Sequence, residues 1–505
     1  MKEPIHMLFG YVPYVGYELA KQLLDKGLIE SCDISAWNMK YAIADERIRY
    51  YDQEDLRHAN YSKYVNIHEI PALSKSILES MLPYESMCLK LGRRGCNFPS
   101  VEYESEKRKY HIHLRFWNYI FEKNKINFVY FDEYPHNLPC DYIIYCLAKI
   151  KKIPMLMADV APLENIRVFG KDLNSIGQSI KEYYESLNCK KNITEEDLCE
   201  PIKSYYKNKK KNLFSAETSV MDKAYIESAR KHVENQYFRI HIGKKAILRV
   251  WYYKLKILTK HVSYNEKQCY EKIIRDSYFV NYYKRHLQFT IKEYDKLAEY
   301  PNYKEKYIFF ALQMTPEATT IPLAGVFSEQ YTSIQLIARA SEKNNIMVYV
   351  KEHFVQPFRD KNVYKMIKSI PNVRLIKSEV SSIELIKHAV GVSTQTGSCI
   401  LESAIWGIPA LVLGQGYIWK GIPNLFEIDN EKYGADIIRR ILSGDIKVDK
   451  ENVLRYFFSI QNTCLPAPFP REWAEDYGEE FYKTITTRVG IIYQYLLNSN
   501  KEFFA

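Results

Sequence analysis

The sequence predicts an α/β protein of two doubly wound domains joined by helices, and three observations carry that prediction. The chain has 505 residues, more than one hydrophobic core ordinarily serves. Apolar runs of strand length alternate with helical periodicity in both its first and its last third, the pattern of parallel sheets built from βα units. Between these lies a polar, charged stretch with helical spacing and no strand signal. The chain therefore divides into an N-terminal Rossmann-like domain over 1–200, a basic helical connector over 201–300 and a C-terminal domain over 301–470. A closing helix over 471–505 is placed to cross back to the first domain.

Taken in order, residues 5–10 read as a strand and 17–26 as an amphipathic helix, with Gly27 where a C-cap belongs. Helical patterns follow over 56–91 and 105–123. A clear strand at 127–131 ends in Asp132-Glu133-Tyr134-Pro135-His136, and a helix at 141–151 leads to a buried strand at 154–158. Residues 192–200 and 207–212 read as loops. The second series opens with a strand at 307–312 and continues helix 330–343, strand 346–351, helix 363–369, strand 373–376, helix 381–388. An apolar strand then enters at 389–392, and helices at 451–460 and 472–497 close the chain.

Bulk composition narrows the function classes. Hydrophobic residues at 47% and charged residues at 26% suit a soluble globular protein, and no apolar run is long enough to span a bilayer. The first residues read as a strand rather than a signal peptide. Ten cysteines are scattered without a CxxC pair, several in apolar segments such as those of Cys146 and Cys399, which implies buried free thiols in a reducing cytoplasm and no zinc site. The net charge of +10 is concentrated between Lys203 and His286, where 20 Lys/Arg meet 7 Asp/Glu. With Tyr252, Tyr253, Tyr282 and Tyr283 interleaved, this segment reads first as a solvated connector. Peripheral contact through 203–286 with an anionic membrane surface, or with an anionic glycan acceptor, is the functional alternative. No nucleic-acid motif accompanies it.

The chemistry concentrates at three loops that each follow a strand of the C-terminal half. The most informative is Ser393-Thr394-Gln395-Thr396-Gly397-Ser398, which leads through Glu402 to a Gly407-Ile408-Pro409 turn and a second apolar strand. Hydroxyls and a glycine at a helix start suit a phosphate, because the first N–H groups of a helix lack partners and its dipole favours an anion. The second loop is Gln313-Met314-Thr315-Pro316-Glu317, and the third is Lys351-Glu352-His353. Glu317 reads equally as a ligand contact and as a cap for a helix starting near Ala318.

At these residues the sequence resembles the bacterial capsule polysaccharide biosynthesis proteins, which include transferases of Kdo from CMP-Kdo. The likeness covers roughly residues 307–426, weakens around 131–167 and is absent from the basic middle. It implies a GT-B fold, two Rossmann-like domains facing a cleft, and transfer of a sugar from a nucleotide donor to a glycan or lipid-linked acceptor. It further implies donor binding by Gln313, Glu317, Lys351, His353, Ser393, Thr394, Thr396, Gly397 and Ser398. His353 would touch the donor phosphate and Glu402 the ribose. One position departs from the family pattern: Phe354 stands where the family has proline after the histidine.

In the first domain Asp132, Glu133 and His136 are the candidate general base for an acceptor hydroxyl; in a retaining route one of the carboxylates would instead attack the anomeric carbon, and an ordinary polar loop is the remaining alternative. Arg93, Arg94 and Arg167 are candidates for an anionic substrate, though surface roles come first. No metal and no resident cofactor are implied, the nucleotide-sugar being a co-substrate. Other readings stay open: a teichoic-acid-type polyol-phosphate transferase, a sugar-nucleotide epimerase, and a non-catalytic scaffold of the assembly complex.

Overall fold

A computed structural model describes residues 3–12, 14–95, 103–160, 166–187, 192–200, 202–210, 244–259, five positions between 267 and 277, 288–289, 291–315, 317–353, 356, 359–414, 419–446, 448, 450–466, 479–500 and 504. The strands of the first third are β1 (His6–Val12), β2 (Ser31–Ala36), β3 (Ile48–Asp52), β4 (Phe128–Phe131), β5 (Met155–Val160) and β6 (Ile166–Gly170). A short pair, β7 (Gln288–Phe289) and β10 (Arg359–Asp360), flanks the second series. That series is β8 (Tyr307–Ala311), β9 (Met347–Lys351), β11 (Val373–Ile376), β12 (Gly391–Thr394), β13 (Ala410–Val412) and β14 (Leu425–Glu427), with β15 (Leu465–Pro466) beyond it.

They form two sheets. The first runs β15-β6-β5-β4-β1-β2-β3, parallel from β5 to β3, with β6 and β15 antiparallel at one edge. The second runs β11-β9-β8-β12-β13-β14 and is parallel throughout. In each, the chain winds outward to one side and then restarts beside its first strand, so the strand order reverses between β1 and β4 and between β8 and β12. Two Rossmann-like sheets in one chain, flanked by helices, form an α/β fold of GT-B type.

Most strands follow their apolar runs, but β2 does not. Ser31-Cys32-Asp33-Ile34-Ser35-Ala36 reads polar, yet every residue is buried. Asp33 is tolerated there because its carboxylate accepts from Arg49 at 2.7 and 3.0 Å, from the Tyr51 hydroxyl at 2.7 Å and from Asn124 at 2.7 Å. Gly27 takes a φ of 64° after the Tyr14–Asp25 helix, the left-handed cap expected of it. The helical patterns over 56–91 resolve into two helices. The first, Gln53–His58, stops at left-handed Ala59, and turns run to the Lys75–Gly95 helix. Residues 207–210, expected as loop, are the last turn of the Ile202–Lys210 helix, whose three C-terminal lysines suit its dipole.

The C-terminal helix, Glu479–Ser499, packs on the Tyr14–Asp25 helix, and its Ile485, Val489, Ile492 and Leu496 enter the first domain's core. Tyr495 stacks on Phe169 of β6 with ring centroids 4.0 Å apart. The return begins before this helix, because Leu465 and Pro466 already pair with Arg167 and Ile166. The core of the second sheet also takes in the Ile291–Leu297 helix. Tyr294, on the Ile291–Leu297 helix, is fully buried and donates to the Ile376 carbonyl at 2.6 Å.

Seven described cysteines are free, and all but Cys199 are buried. Among the described residues no helix is long and apolar enough to cross a membrane. Tyr282 and Tyr283 lie outside them.

One buried group sets an acid limit on the first domain. His113, in the Tyr103–Lys123 helix, is almost wholly enclosed and its ring meets the Tyr61 hydroxyl. Burial, aided by the charge of Lys109, lowers its pKa to about 3. Below the free imidazole's pKa of about 6.5 the unfolded chain takes up a proton that the folded chain refuses. Stability is thus complete above that pH and is lost as pH falls toward the folded value, at roughly 1.4 kcal/mol per unit. Urea midpoints of wild type and His113→Gln, taken from pH 7 downward, test this. The variant's acid slope should be shallower, and equal slopes would exclude His113 as the source.

Candidate functional site

The site is built at the reversal between β8 and β12, where open parallel sheets bind ligands beyond the carboxyl ends of their strands. β12 runs two residues further than the apolar run suggests. Ser393 and Thr394 belong to the strand, and Ala389 caps the preceding helix. The Ser393 side chain is fully enclosed in the sheet, so donor contact is not open to it. Thr394 donates its hydroxyl to the Ala311 carbonyl at 3.2 Å, tying the ends of β12 and β8 together.

Gln313, buried just after β8, grips the opposite loop twice. Its Oε1 accepts from the Thr396 N–H at 3.2 Å, and its Nε2 donates to the Thr396 Oγ1 at 3.3 Å. The same Thr396 hydroxyl donates to the Thr319 carbonyl at 2.8 Å. Gln330 in turn holds the Gln313 backbone, accepting from its N–H at 2.8 Å and donating to its carbonyl at 2.9 Å. The threonine hydroxyls expected to face a phosphate are therefore spent on positioning. Helix geometry still leaves N–H groups for an anion at the first turn of the Cys399–Trp406 helix, on Gly397, Ser398 and Cys399.

Two glycines permit this closeness. A Cβ on Gly397 would stand 3.2 Å from the Thr394 hydroxyl and 3.3 Å from the Gln313 Nε2. One on Gly414 would fall 2.4 Å from the Thr396 methyl and 2.6 Å from the Gln395 carbonyl oxygen.

The β9 loop joins the same assembly through residues that the sequence reading did not single out. Glu352, fully buried, accepts from Arg359 at 2.8 and 3.0 Å, from the Tyr364 hydroxyl and from the His353 N–H at 2.6 Å. Burial pushes its carboxyl up, but the Arg359 charge and these bonds outweigh burial and leave it below the ordinary range. Arg359 also donates to the Gln313 carbonyl at 2.9 Å, and Gln356 exchanges two bonds with the Thr315 backbone at 2.9 and 3.1 Å. The Gln313, His353 and Thr396 loops are thus one hydrogen-bonded unit.

Within it, burial lowers the His353 pKa, against the opposing charges of Glu352 and Glu317, so the ring favours its neutral form. Glu317 accepts from the Thr319 N–H at 2.9 Å, capping the turn that follows it. Lys351 ends β9 with its ammonium on the Ser382 hydroxyl at 3.2 Å. Pro316, Phe354 and Pro357 lie outside the described residues. Glu402 points to the connector: Lys209 holds its carboxylate at 2.7 Å, with both side chains mostly covered. A ribose at Glu402 has to compete with that lysine.

In the first domain the predicted trio separates. Asp132 is fully buried, accepting from Tyr130 at 2.9 Å and pairing with fully buried Arg488 at 2.6 Å. Arg167 is also buried and donates to the Asp132 carbonyl at 3.4 Å, so it is neither surface nor open to substrate. Burial, then the neighbouring Arg488, lowers its pKa. An enclosed, ion-paired carboxylate cannot reach an acceptor hydroxyl, so Asp132 is a structural anion rather than the expected base. Glu133, half-buried, accepts from Asn137 at 3.2 Å. His136 places Nδ1 2.7 Å from the Tyr134 carbonyl. A carbonyl only accepts, so a neutral ring carries its proton on Nδ1. Arg93 and Arg94 fall in the Lys75–Gly95 helix, their side chains outside those described. Among the described residues no cluster of His, Cys, Asp and Glu is placed to hold a metal ion.

No protein-family model and no curated protein matches the sequence. Among solved structures, the beta Kdo 2,7 transferase of Thermosulfurimonas dismutans KpsC aligns at 15% identity, covering 41% of this chain and 57% of that one, with a TM-score of 0.21. The beta Kdo 2,4 transferase of the same KpsC aligns at 12% identity over 66% and 79%, with a TM-score of 0.29. The S. aureus MnaA–UDP co-structure aligns at 12% identity over 98% and 97%, with a TM-score of 0.24. Such scores are too low to carry an assignment, which rests on the chain's own strands and side chains.

Proposed function

We propose that this chain is a GT-B glycosyltransferase of surface, capsular polysaccharide biosynthesis. It transfers a sugar from a nucleotide donor, CMP-Kdo-like in the first instance, to a glycan or lipid-linked acceptor at the cytoplasmic face of a membrane. One observation carries the reading: three loops singled out for nucleotide-sugar chemistry are hydrogen-bonded into a single unit at the β8/β12 reversal.

In this proposal the N–H groups at Gly397, Ser398 and Cys399 bind the donor phosphate together with His353. Because burial disfavours the charged imidazole while a bound anion favours it, donor affinity rises as pH is lowered. Charge accumulating on the leaving nucleotide is stabilised by the same groups. His136 or Glu133 takes the proton from the acceptor hydroxyl.

The test is a thermal-shift panel of CMP, CDP, UDP and GDP on the wild type, followed by variants. A bound nucleotide raises the melting temperature by mass action. His353→Ala is expected to weaken the stabilising nucleotide by about tenfold or more, the scale of one charge-assisted contact. His136→Ala is expected to lose turnover with nucleotide binding intact. A panel in which no nucleotide shifts the melting temperature overturns the proposal. A shift with UDP alone keeps the transferase and replaces the donor.

A further inference from the structure

The connector carries one helix whose outward face is apolar. In the Lys244–Thr259 helix, Ile247, Leu248, Trp251, Tyr252, Leu255 and Leu258 are each more than half exposed, Leu258 at 82%. At 100° per residue these six positions fall within an arc of about 140°. The helix packs through a different side: Val250 is buried, Tyr253 stacks on Tyr270 at 4.7 Å, and Lys256 donates to the Tyr270 hydroxyl at 2.8 Å. The exposed stripe is therefore additional to the packing face. Single exposed apolar residues need no explanation, but six on one face form a patch that water penalises.

Charge identifies what covers it. The helix holds five Lys/Arg and no Asp/Glu. By helical spacing Lys254 borders the stripe on one side, and Lys256, which also reaches the Tyr270 hydroxyl, borders it on the other. An apolar arc with aromatic residues, edged by cations along both sides, matches the boundary between lipid headgroups and acyl chains, where such a helix lies in the plane of the surface. A second copy of this helix fits worse, because two faces edged only with positive charge repel.

We propose that the Lys244–Thr259 helix docks this chain on an anionic bilayer surface, Trp251 and Leu255 entering the acyl boundary and the lysines meeting lipid phosphates. The proposal is independent of the donor assignment.

Flotation of the full chain with phosphatidylcholine vesicles, with and without phosphatidylglycerol, tests it. The protein is expected to float with the anionic vesicles only and to be released by salt. Lys254→Gln should weaken binding about fivefold, the worth of one basic residue near such a surface. Trp251→Glu with Leu255→Glu should abolish flotation while leaving the melting temperature and nucleotide binding unchanged. Wild-type protein that stays unbound to anionic vesicles overturns the proposal, as does a double variant that floats normally. Concentration-dependent self-association that the double variant loses would assign the stripe to a second copy instead. If no nucleotide binds but flotation persists, the donor reading falls and this one stands.

Discussion

Replacing Arg488 by Met is expected to destabilise the folded protein by about 3–5 kcal/mol, the usual cost of stranding one member of a buried ion pair. Asp132 would keep Tyr130 and lose the guanidinium 2.6 Å away, in surroundings that exclude water. Adding Asp132→Asn should restore much of the loss, since a buried pair replaced on both sides is often close to neutral. Denaturant midpoints of the two single variants and the double variant close the cycle. Activity of the double variant decides the chemistry as well. Turnover near wild type marks Asp132 as structural, whereas a folded double variant without turnover would return it to the list of bases.

Glu352→Ala should cost a similar ~3–5 kcal/mol, with a functional signature of its own. The carboxylate anchors Arg359 in two bonds, and Arg359 in turn holds the Gln313 carbonyl. Its removal leaves a buried guanidinium with half its partners and loosens the β8 loop from the β9 loop. Nucleotide stabilisation should therefore vanish at temperatures where circular dichroism still reports a folded chain. Glu352→Gln keeps the shape and some of the bonds and should fall between. If Glu352→Ala binds nucleotide normally, the unity of the three loops does not matter for binding.

How much of this was legible in the sequence follows from where each interaction reaches. The strands β4, β8, β9 and β11 announce themselves because an apolar run is a local signal, and the loops after them are local too. β2 gave none, because the partners that make its buried Asp33 tolerable sit at 49, 51 and 124. Asp132 looked like a free carboxylate for the same reason: Arg488 lies 356 residues away, and no periodicity connects them. Glu402 was placed on the right helix, but Lys209 comes from a stretch read as loop. In the β9 loop the local motif points to His353, while Glu352 and Arg359 organise it. A buried ion pair is visible only once both its members are in place.

The pairing of β15 with β6, and of Arg488 with Asp132, bears on how the protein is made. A ribosome delivers the first sheet hundreds of residues before the strand and helix that complete it. Until then β6 presents a bare edge and the Asp132 carboxylate lacks its counter-charge, so the first domain cannot reach its final state on emergence, as N-terminal domains generally do. The second domain needs nothing that late in the chain for its sheet. The part synthesised first is the part finished last.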